Sequence, residues 1–507
     1  MIRTYESAVK FLEKYIPTPD KKYPGKMGLL RMQYLANLLG NPQRKYKTIH
    51  VGGTSGKGSV ATIIASILGT KYKVGLNTSP HLEKITERIQ LGSDLNVRQG
   101  LTPIPDNAFV ALLNEIQSQI EQMRTTRFGS PSHFEIMTAM VFLYFFKKKV
   151  DVAVVEVGLG GSFDATNIIN PIVAVLTNVG LDHTQVLGDT VEKIAMDKAG
   201  IIKRGIEVVS GVRQDSVIKI IKEKCEKEGA SLSLLVPSPR SSARQFLHHP
   251  RSPCLPAGRL RATSEVFPWL AFSYRIKKIT SKGSVFDYFG GTSGSDISLS
   301  QKDNQGLTLS DLRLSLLGEH QVENAALAIR AVEMFYESHF DKQWASKIDS
   351  GQARMTEKEV SRGLKNAFIA GRMEIVRRNP LVVLDGAHNR DKIKALVDSM
   401  KRIFPNKKVR LLMAIKNDKD AREMIRFIVP ICESIILTSF RLKGDIGEIG
   451  AHDPEKLKKI IYKLDVHMNV TILYDAKKAY KQILKGARRD DIILVTGSLY
   501  LVGEIRR

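Results

Sequence analysis

The segment at residues 50–60, HVGGTSGKGSV, combines closely spaced glycines with hydroxyl side chains and a single lysine. Glycines let a backbone approach phosphate oxygens closely, and Lys57 can reach the β- and γ-phosphates of a nucleotide. An apolar strand pattern at 47–51 precedes the segment and a helical pattern follows it, as in loops whose N–H groups surround phosphate. We therefore favour a phosphate-binding loop over a tight turn with a solvated lysine. The residues expected to contact a nucleotide are Gly53, Thr54, Gly56, Lys57, Gly58 and Ser59.

The loop departs from the usual phosphate-binding pattern at the position after its lysine. That pattern has Ser or Thr there, and the hydroxyl binds the Mg²⁺ ion that accompanies nucleotide phosphates. In this chain Gly58 follows Lys57, and the hydroxyl comes one position later, at Ser59. Oxygen or nitrogen ligands from other parts of the chain are therefore needed to complete a metal site.

Two later segments supply such ligands where apolar strand patterns end. Glu156 lies near the end of the run at 151–157, and His183 follows the run at 171–179. The carboxyl ends of parallel strands are where α/β folds bind their ligands. A single acid at a strand end is often structural, but two consecutive strand ends beside a phosphate-binding loop favour a functional site.

The strand and helix patterns divide into two α/β halves. The strands read as nearly continuous apolar, β-branched runs, which is typical of parallel strands buried on both faces. A helical pattern at 453–464 separates two strand patterns of the second half, and this alternation predicts an open parallel sheet. We therefore expect an α/β protein with two sheets. The strand patterns lie at 47–51, 151–157 and 171–179 in the first half, and at 381–385, 409–415, 434–439, 470–474 and 491–497 in the second.

Size and composition indicate a multidomain globular protein. The 507 residues exceed what one hydrophobic core usually serves, and 43% of them are hydrophobic. The longest strongly apolar run, at 140–146, is too short to span a bilayer, and the N-terminus lacks the features of a signal peptide. These features predict a cytoplasmic protein with no membrane partner. A stretch rich in Pro, Ser and Arg at 237–264 predicts an exposed, disordered insertion.

The chain is strongly basic, with 77 Lys and Arg against 52 Asp and Glu and a net charge of +25. Such an excess attracts anionic ligands, and nucleic acid, ATP or a polycarboxylate would each suit it. The charges are spread along the chain, and no base-reading or stacking element accompanies them. We therefore expect no nucleic-acid partner. The alternative, a nucleotide-dependent nucleic-acid binder, predicts binding that weakens steeply with salt.

Eight short motifs occur in order along the chain and leave out the region at 237–310. Together they resemble the folylpolyglutamate synthase/dihydrofolate synthase family of the Mur ligase superfamily. The resemblance implies a P-loop ATPase domain, expected at 1–366, followed by a smaller Rossmann-like domain, expected at 370–507, with the active site between them. The motifs are GTSGKGSV (53–60), GLNTSPHL (75–82), EVGLGGSFDATN (156–167), DHTQVLGDTVEKIAMDKAGIIK (182–203), GEHQVENAALA (318–328), GRMEI (371–375), LDGAHN (384–389) and TGSLYLVG (496–503).

The resemblance also implies how metal ions are bound. Ser79, Glu156 and His183 match family residues that bind Mg²⁺, and one or two ions are expected. Lys198 matches a lysine that the superfamily carries as a carbamate, an anion able to support a second metal ion. The alternative for Lys198 is a plain lysine in a salt bridge or in solvent.

The implied activity is the ATP-dependent addition of L-glutamate to a folate or pteroate carboxylate. ATP would phosphorylate the carboxylate, and the amine of L-glutamate would then displace phosphate from the acyl phosphate. The expected catalytic residues are Lys57, Lys198 and His183. The expected partners are thus small molecules only, namely ATP, L-glutamate and folate or dihydropteroate, and the chain is expected to act as a monomer.

Further site residues follow from the matched motifs. Arg372, Asp385 and His388 match residues that close on the nucleotide from the second domain. Asn324 matches a position near the nucleotide, with a cap or interhelical bond as its alternative role. The residues expected to contact the substrate are His81, Phe134 and Asp164, and core packing is the alternative for Phe134.

A related ligase is the main enzymatic alternative. A Mur-type enzyme acting on a cell-wall nucleotide precursor would share the phosphate-binding loop and the two-domain arrangement. The motifs at 156–167 and 384–389 favour the folate branch of the superfamily.

Overall fold

The computed structural model describes residues 1–17, 25–92, 100–236, 269–293, 307–339, 355–444 and 447–507. The predicted insertion at 237–264 lies outside these ranges. Helices and strands are numbered in order along the described residues. The helices are α1 (Tyr5–Glu13), α2 (Lys26–Leu38), α3 (Lys57–Leu68), α4 (Asp106–Met123), α5 (His133–Lys147), α6 (Thr184–Leu187), α7 (Val191–Lys198), α8 (Asp215–Glu228), α9 (Glu319–His339), α10 (Glu357–Asn366), α11 (Arg390–Ile403), α12 (Ala421–Ile428), α13 (Pro454–Leu464), α14 (Ala476–Lys485) and α15 (Leu499–Arg506).

The strands form two large sheets and one hairpin within the described residues. The first sheet contains β1 (Lys47–Gly52), β2 (Val74–Asn77), β3 (Ile89–Gly92), β4 (Thr102–Pro103), β5 (Val152–Glu156), β6 (Val173–Leu176), β7 (Glu207–Ser210), β8 (Ser231–Leu235), β9 (Trp269–Thr280), β10 (Gly283–Ser293) and β11 (Thr308–Leu314). The second sheet and the hairpin contain β12 (Glu374–Arg378), β13 (Leu381–Leu384), β14 (Val409–Met413), β15 (Cys432–Leu437), β16 (Arg441–Gly444), β17 (Gly447–Gly450), β18 (Asn469–Ile472) and β19 (Ile492–Thr496).

The centre of the first sheet is parallel, and its strand order is β11-β10-β9-β8-β7-β6-β1-β5-β2-β3-β4. Strand β1 pairs with β5 on one side and with β6 on the other. Every residue of β5 and β6 is buried, which explains their continuous apolar runs. The predicted strands at 47–51, 151–157 and 171–179 are confirmed. Their carboxyl ends lie side by side, as the site hypothesis requires.

Antiparallel strands extend this sheet at both edges, and they are not among the strand patterns identified above in the sequence. Strands β3 and β4 follow β2 at one edge, while β10 and β11 follow β9 at the other. The second group packs against α9 through buried Phe286 and Tyr288. Burial in β11 alternates in part, which is a weaker sequence signal than a continuous apolar run.

Helix α10 completes the part of the chain that builds the first sheet. The hydroxyl of Ser66 in α3 donates to Gly363 O at 2.8 Å. A Cβ at position 363 would lie 2.5 Å from Ile67 Cα, so the two helices pack at close range. The second sheet then begins at Glu374.

The second sheet has the strand order β12-β13-β19-β14-β15-β18. Strand β12 is antiparallel to β13, and the remaining neighbours are parallel. The five strands that the sequence predicts in this half are all present. The mixed α/β fold class is therefore confirmed. Among the described residues, no helix combines the length and apolarity needed to cross a membrane.

The C-terminal domain contacts the first-sheet part at the segment after β2 and at the segment after β6. Leu82 packs into the apolar cluster that contains Val502 of α15. Arg506 pairs with Glu83. These contacts place the edge where β1, β5 and β6 end opposite the second sheet.

Candidate active site

The phosphate-binding loop between β1 and α3 is held by the segment that follows β6. Thr54 N–H donates to Asn178 O at 3.0 Å, and Ser55 N–H donates to Asn178 Oδ1 at 2.8 Å. The Thr54 hydroxyl accepts from Gly180 N–H at 3.0 Å. The loop is thereby fixed, and α3 starts at Lys57 with its first N–H groups free of helical partners.

Two glycines of the loop are required by positive φ and by close neighbours. Gly53 has φ 137°, and a Cβ there would lie 2.0 Å from Thr177 Oγ1. Gly56 has φ 83°, and a Cβ there would lie 2.6 Å from Asn324 Oδ1. Asn324, on α9, also donates from Nδ2 to Gln321 Oε1 at 3.0 Å. Asn324 therefore lies against the loop and bonds within its own helix.

Glu156 at the end of β5 lies beside the start of α3. Its Oε2 accepts from Ser79 N–H at 2.8 Å, and a Cβ at Gly58 would lie 3.4 Å from the same atom. The side chain is buried, and burial raises the pKa of its carboxyl group, against the opposing charges of Lys57 and Arg372. Ser79 and Glu156 are thus brought together at the phosphate-binding loop.

His183 precedes α6 with φ 52° and keeps 44% of its side chain exposed. Partial withdrawal from water lowers the pKa of the imidazole to about 4, against the opposing charge of Asp182. Nearby positive charges, including Lys57 and Lys198, act in the same direction as the desolvation. The ring is therefore neutral at pH 7, which leaves a nitrogen lone pair available to a metal ion.

Lys198, the last residue of α7, is only 5% exposed. Its Nζ donates at 3.0 Å to Gly53 O, a backbone oxygen of the phosphate-binding loop. Burial and the charge of Lys57 lower the pKa of the amine to about 7, against the charge of Asp197. A large fraction of this amine is therefore neutral at physiological pH. The solvent-exposed alternative considered for Lys198 is wrong.

Asp164 holds the turn that follows β5. Its carboxylate accepts from Leu159 N–H at 2.8 Å and from Thr166 N–H at 2.9 Å, and the Thr166 hydroxyl also donates to it. Only 6% of the residue is exposed. Both carboxylate oxygens are engaged within the turn, so this geometry gives no support to the predicted substrate contact of Asp164.

The other two predicted substrate residues lie on separate elements. Phe134 in α5 is partly buried. A Cβ at Gly158, in the turn after β5, would lie 2.3 Å from Phe134 Cζ. The ring therefore packs against the turn after β5 as well as against the apolar cluster of α5. His81 lies in the loop after β2, where its Nδ1 accepts from Arg88 Nε at 3.0 Å.

Asp385 follows β13 in the C-terminal domain and organises the backbone there. Its two oxygens accept from Met373 N–H at 2.9 Å and from Ala387 N–H at 2.8 Å. Burial raises the pKa of its carboxyl group, against the opposing charge of Arg372. Asp385 and Arg372, which are both predicted to contact the nucleotide, therefore lie close to each other.

His388 has a defined hydrogen-bonding role on each ring nitrogen. Nδ1 lies 2.7 Å from Gly386 O, and because a carbonyl can only accept, Nδ1 carries the proton. Nε2 therefore accepts from Lys392 Nζ at 3.0 Å. Lys419, after β14, pairs with Asp182 of the first-sheet part at 3.3 Å.

Lys392 and Lys419 are not among the functional residues predicted from the sequence. Lys419 follows a parallel strand of the second sheet, so the rule about strand ends could have found it. Lys392 is four residues after His388, a spacing that brings side chains together at a helix start. Their approach to the phosphate-binding loop depends on how the two sheets meet, which no local pattern reports.

Within the described ranges, no three or more His, Cys, Asp or Glu side chains are grouped so that they could hold a metal ion. The predicted set differs from such a cluster because it contains one carboxylate, one imidazole and one hydroxyl. Glu156 and Ser79 are joined directly, and His183 lies near Lys57 and Lys198 of the same site.

Family models match two parts of the chain. Residues 51–235 match the Mur ligase middle domain, and residues 371–507 match the dihydrofolate synthetase C-terminal domain. The dihydrofolate synthase/folylpolyglutamate synthase of Bacillus subtilis (strain 168) is 32% identical over 492 residues, which are 96% of this chain and 96% of that protein. The chain belongs to the dihydrofolate synthase/folylpolyglutamate synthase family. The predicted family is therefore confirmed.

Solved structures of the family agree over nearly the whole chain. The Mycobacterium tuberculosis folylpolyglutamate synthase complexed with ADP is 27% identical, with a TM-score of 0.75 over 99% of this chain and 97% of that one. A folylpolyglutamate synthase–AMPPCP–folate complex is 27% identical, with a TM-score of 0.69 over 99% of both chains. The names of these relatives refer to folate, which favours the folate branch of the superfamily over a ligase that acts on a cell-wall precursor.

Proposed function

We propose that this chain is an ATP-dependent ligase that joins L-glutamate to the carboxylate of a folate or a pteroate. The proposal rests mainly on the position of Glu156. Its carboxylate lies against the start of α3, and the charges of Lys57 in the first domain and Arg372 in the second both lower its pKa. A phosphate-binding loop, a buried carboxylate and converging cations suit phosphoryl transfer. The family's ADP and AMPPCP–folate complexes support the same choice of substrates.

The reaction has two steps with a common acyl phosphate. In the first step a carboxylate oxygen of the acceptor attacks the γ-phosphorus of ATP, and the bond to the β,γ-bridging oxygen breaks to release ADP. In the second step the amine of L-glutamate attacks the acyl carbon and loses a proton, and inorganic phosphate leaves. Lys57 would stabilise the charge on the transferred phosphoryl group, while a closed cleft would exclude water from the acyl phosphate.

Ser79, Glu156 and His183 would hold Mg²⁺ in this site. One carboxylate, one neutral imidazole and one hydroxyl leave room for phosphate oxygens and water, which suits the octahedral preference of this ion. The neutral state of His183 supports the assignment, as does the buried position of Glu156 beside the loop. When bound, Mg²⁺ supplies electrostatic stabilisation to the phosphate oxygens.

We also propose that Lys198 is carbamylated. Carbamylation requires a neutral amine to attack CO₂, which releases one proton, and the lowered pKa of Lys198 provides that amine. The carbamate nitrogen keeps one N–H, which can still donate to Gly53 O. The new anion would lie near Lys57 and His183, where it could support a second metal ion.

The nucleotide is proposed to contact two groups of residues, namely Gly53, Thr54, Gly56, Lys57, Gly58 and Ser59 in the loop, and Asn324, Arg372, Asp385 and His388 outside it. Asn324 lies directly against Gly56, which supports its place at the loop. For the acceptor we retain His81 and Phe134, and we assign Asp164 to holding the turn. The geometry around Asp164 supports this change.

We propose a domain division between residues 366 and 370 and a monomeric enzyme. The end of α10 at Asn366 and the start of β12 at Glu374 support the division. A single chain supplies every proposed site residue, which supports a monomer.

The acyl phosphate is tested by labelling the acceptor carboxylate with ¹⁸O. Transfer through an acyl phosphate moves one labelled oxygen from each acceptor into inorganic phosphate. Phosphate released without label, in a reaction that still forms the amide, would contradict this route. ADP formation that depends on neither the acceptor nor L-glutamate would contradict the ligase assignment itself.

A further inference from the structure

Helix α11 carries a lysine where helix electrostatics disfavours one. Lys392 lies in the first turn of α11, and its N–H donates to the capping oxygen Asn389 Oδ1 at 3.0 Å. The N-terminus of a helix is its positive end, and a cation there is destabilising. Asp391 in the same turn offsets this in part, and a further anion nearby would stabilise the charged form of the lysine.

The side chain of Lys392 lies among charged groups of both signs. Its Nζ donates to His388 Nε2, which is a neutral acceptor. Burial lowers the pKa of the amine to about 7, and Arg372, Lys57 and Lys419 act in the same direction. Asp182, Glu156 and Asp385 carry opposing charges, but Asp182 is already paired with Lys419 and both oxygens of Asp385 accept backbone N–H groups. The charged forms of Lys392, Arg372, Lys57 and Lys419 outnumber these three carboxylates by one, which favours binding of an anion beside Lys392.

The position of Lys392 indicates which anion would bind. The charge of Lys392 acts on Glu156, the carboxylate next to the phosphate-binding loop, and Lys57 acts on Lys392 in turn. A Cβ at Gly180 would lie 3.9 Å from Asp391 Oδ2 and 3.9 Å from Thr54 Cγ2, so the start of α11 lies beside the phosphate-binding loop. A phosphoryl group held by that loop would therefore lie close to the start of α11.

We propose that Lys392 binds the phosphoryl group that is transferred, first as the terminal phosphate of ATP and then as the acyl phosphate. This inference rests on the proposed ligase function and adds a binding residue from the C-terminal domain. His388 acts as a positioning residue, because its Nε2 directs the Lys392 amine and its Nδ1 is fixed by Gly386 O.

The test compares the binding of ADP with the binding of AMPPCP by calorimetry in the presence of Mg²⁺. Lys392→Met should weaken AMPPCP binding about tenfold or more, the usual effect of losing a charge-assisted hydrogen bond, and should change ADP binding little. Lys392→Arg should retain most of the AMPPCP affinity. The matched control is Lys394→Met, because Lys394 is on the same helix, exposed and paired with Asp398, and it should behave as wild type.

A second measurement separates binding from a structural role. Removing a cation from the start of α11 should raise the melting temperature of the nucleotide-free protein, whereas loss of a structural contact would lower it. Equal AMPPCP affinity in Lys392→Met and wild type, or an equal loss for ADP and AMPPCP, would overturn the inference. Wild-type protein that binds neither nucleotide would instead contradict the proposed function.

Discussion

The backbone N–H of Ser79 donates to the carboxylate of Glu156 at 2.8 Å and links the ends of two neighbouring strands. Strands β2 and β5 are paired in parallel, with Asn77 opposite Val155, so their carboxyl ends are adjacent. One hydrogen bond therefore fixes two of the three proposed Mg²⁺ ligands relative to each other before any metal binds. Such preorganisation lowers the cost of assembling the site.

Glu156→Gln should raise the Mg²⁺ concentration required for activity by about tenfold or more, because an amide is a weaker ligand than a carboxylate. The amide oxygen can still accept from Ser79 N–H, so the loop should keep its position. The measurement is a Mg²⁺ titration of product formation. Glu121→Gln, at an exposed carboxylate outside the site, is the control. A titration that matches wild type would remove Glu156 from the metal site.

Lys57→Ala should reduce ATP turnover by about 100-fold or more, because the transferred phosphoryl group would lose a positioned positive charge. The measurement is ADP release at saturating acceptor and L-glutamate. Lys47→Ala is the control, since Lys47 begins the preceding strand and is exposed. Turnover near the wild-type rate would show that the loop does not act on the phosphates.

Lys198 should give a carbamate signal in NMR with ¹³C-labelled bicarbonate, and activity lost on removal of CO₂ should return with bicarbonate. The pKa of about 7 predicts that the signal increases as pH rises through 7 at constant dissolved CO₂, because the neutral amine is the reacting form. Lys198→Ala should abolish the signal. Lys203→Ala should not, although burial also lowers the pKa of Lys203.

The lowered pKa of Lys198 also affects the stability of the folded protein. The pKa of Lys198 is lower in the folded state than the ordinary value of 10.5, so the unfolded chain binds more protons between about pH 7 and 10.5. The contribution of this residue to the free energy of unfolding should therefore rise with pH across that window. A Lys198→Met variant should lose this increase, as measured by denaturant titrations at several pH values in CO₂-free buffer, where the amine is not carbamylated.

Gly503→Ala should separate α15 from the loop that carries Ser79. A Cβ at position 503 would lie 2.1 Å from Leu82 O, a backbone atom that cannot rotate away. We expect the free energy of unfolding to fall by roughly 1–3 kcal/mol, as in other overpacked contacts. We also expect a higher Mg²⁺ requirement, because the loop with Ser79 would shift.

The control for this variant is Gly450→Ala in the same domain. A Cβ at position 450 meets only Asn417 Nδ2, at 3.9 Å, and should be tolerated. If Gly503→Ala matched this control in both denaturant and Mg²⁺ titrations, contact with α15 would not influence the metal-binding loop.

Much of the fold could be predicted because its central strands are buried on both faces. The five residues of β5 and the four of β6 are all buried, so they read as continuous apolar runs that local sequence reveals. The antiparallel strands β9 to β11 lack that signal. Their place in the first sheet depends on packing against α9, which lies later in the chain.

The site could be predicted where one loop or one strand end carries the chemistry, as at Lys57 and Glu156. It could not be predicted where the chemistry depends on contact between domains. Lys419 reaches Asp182 across 237 positions of sequence, and neither local pattern points to the other. Asp164 is predicted from the sequence to contact the substrate, and that prediction has no support from the geometry. Its carboxylate accepts a backbone N–H of its own turn instead.

The most direct test of the central claim is a product assay by mass spectrometry. Purified protein receives ATP, Mg²⁺ and L-glutamate, with dihydropteroate in one reaction and tetrahydrofolate in another. We predict that at least one acceptor gains the mass of glutamate in amide linkage, with one ADP formed for each glutamate added. ATP binding without glutamate addition to either acceptor would contradict the account.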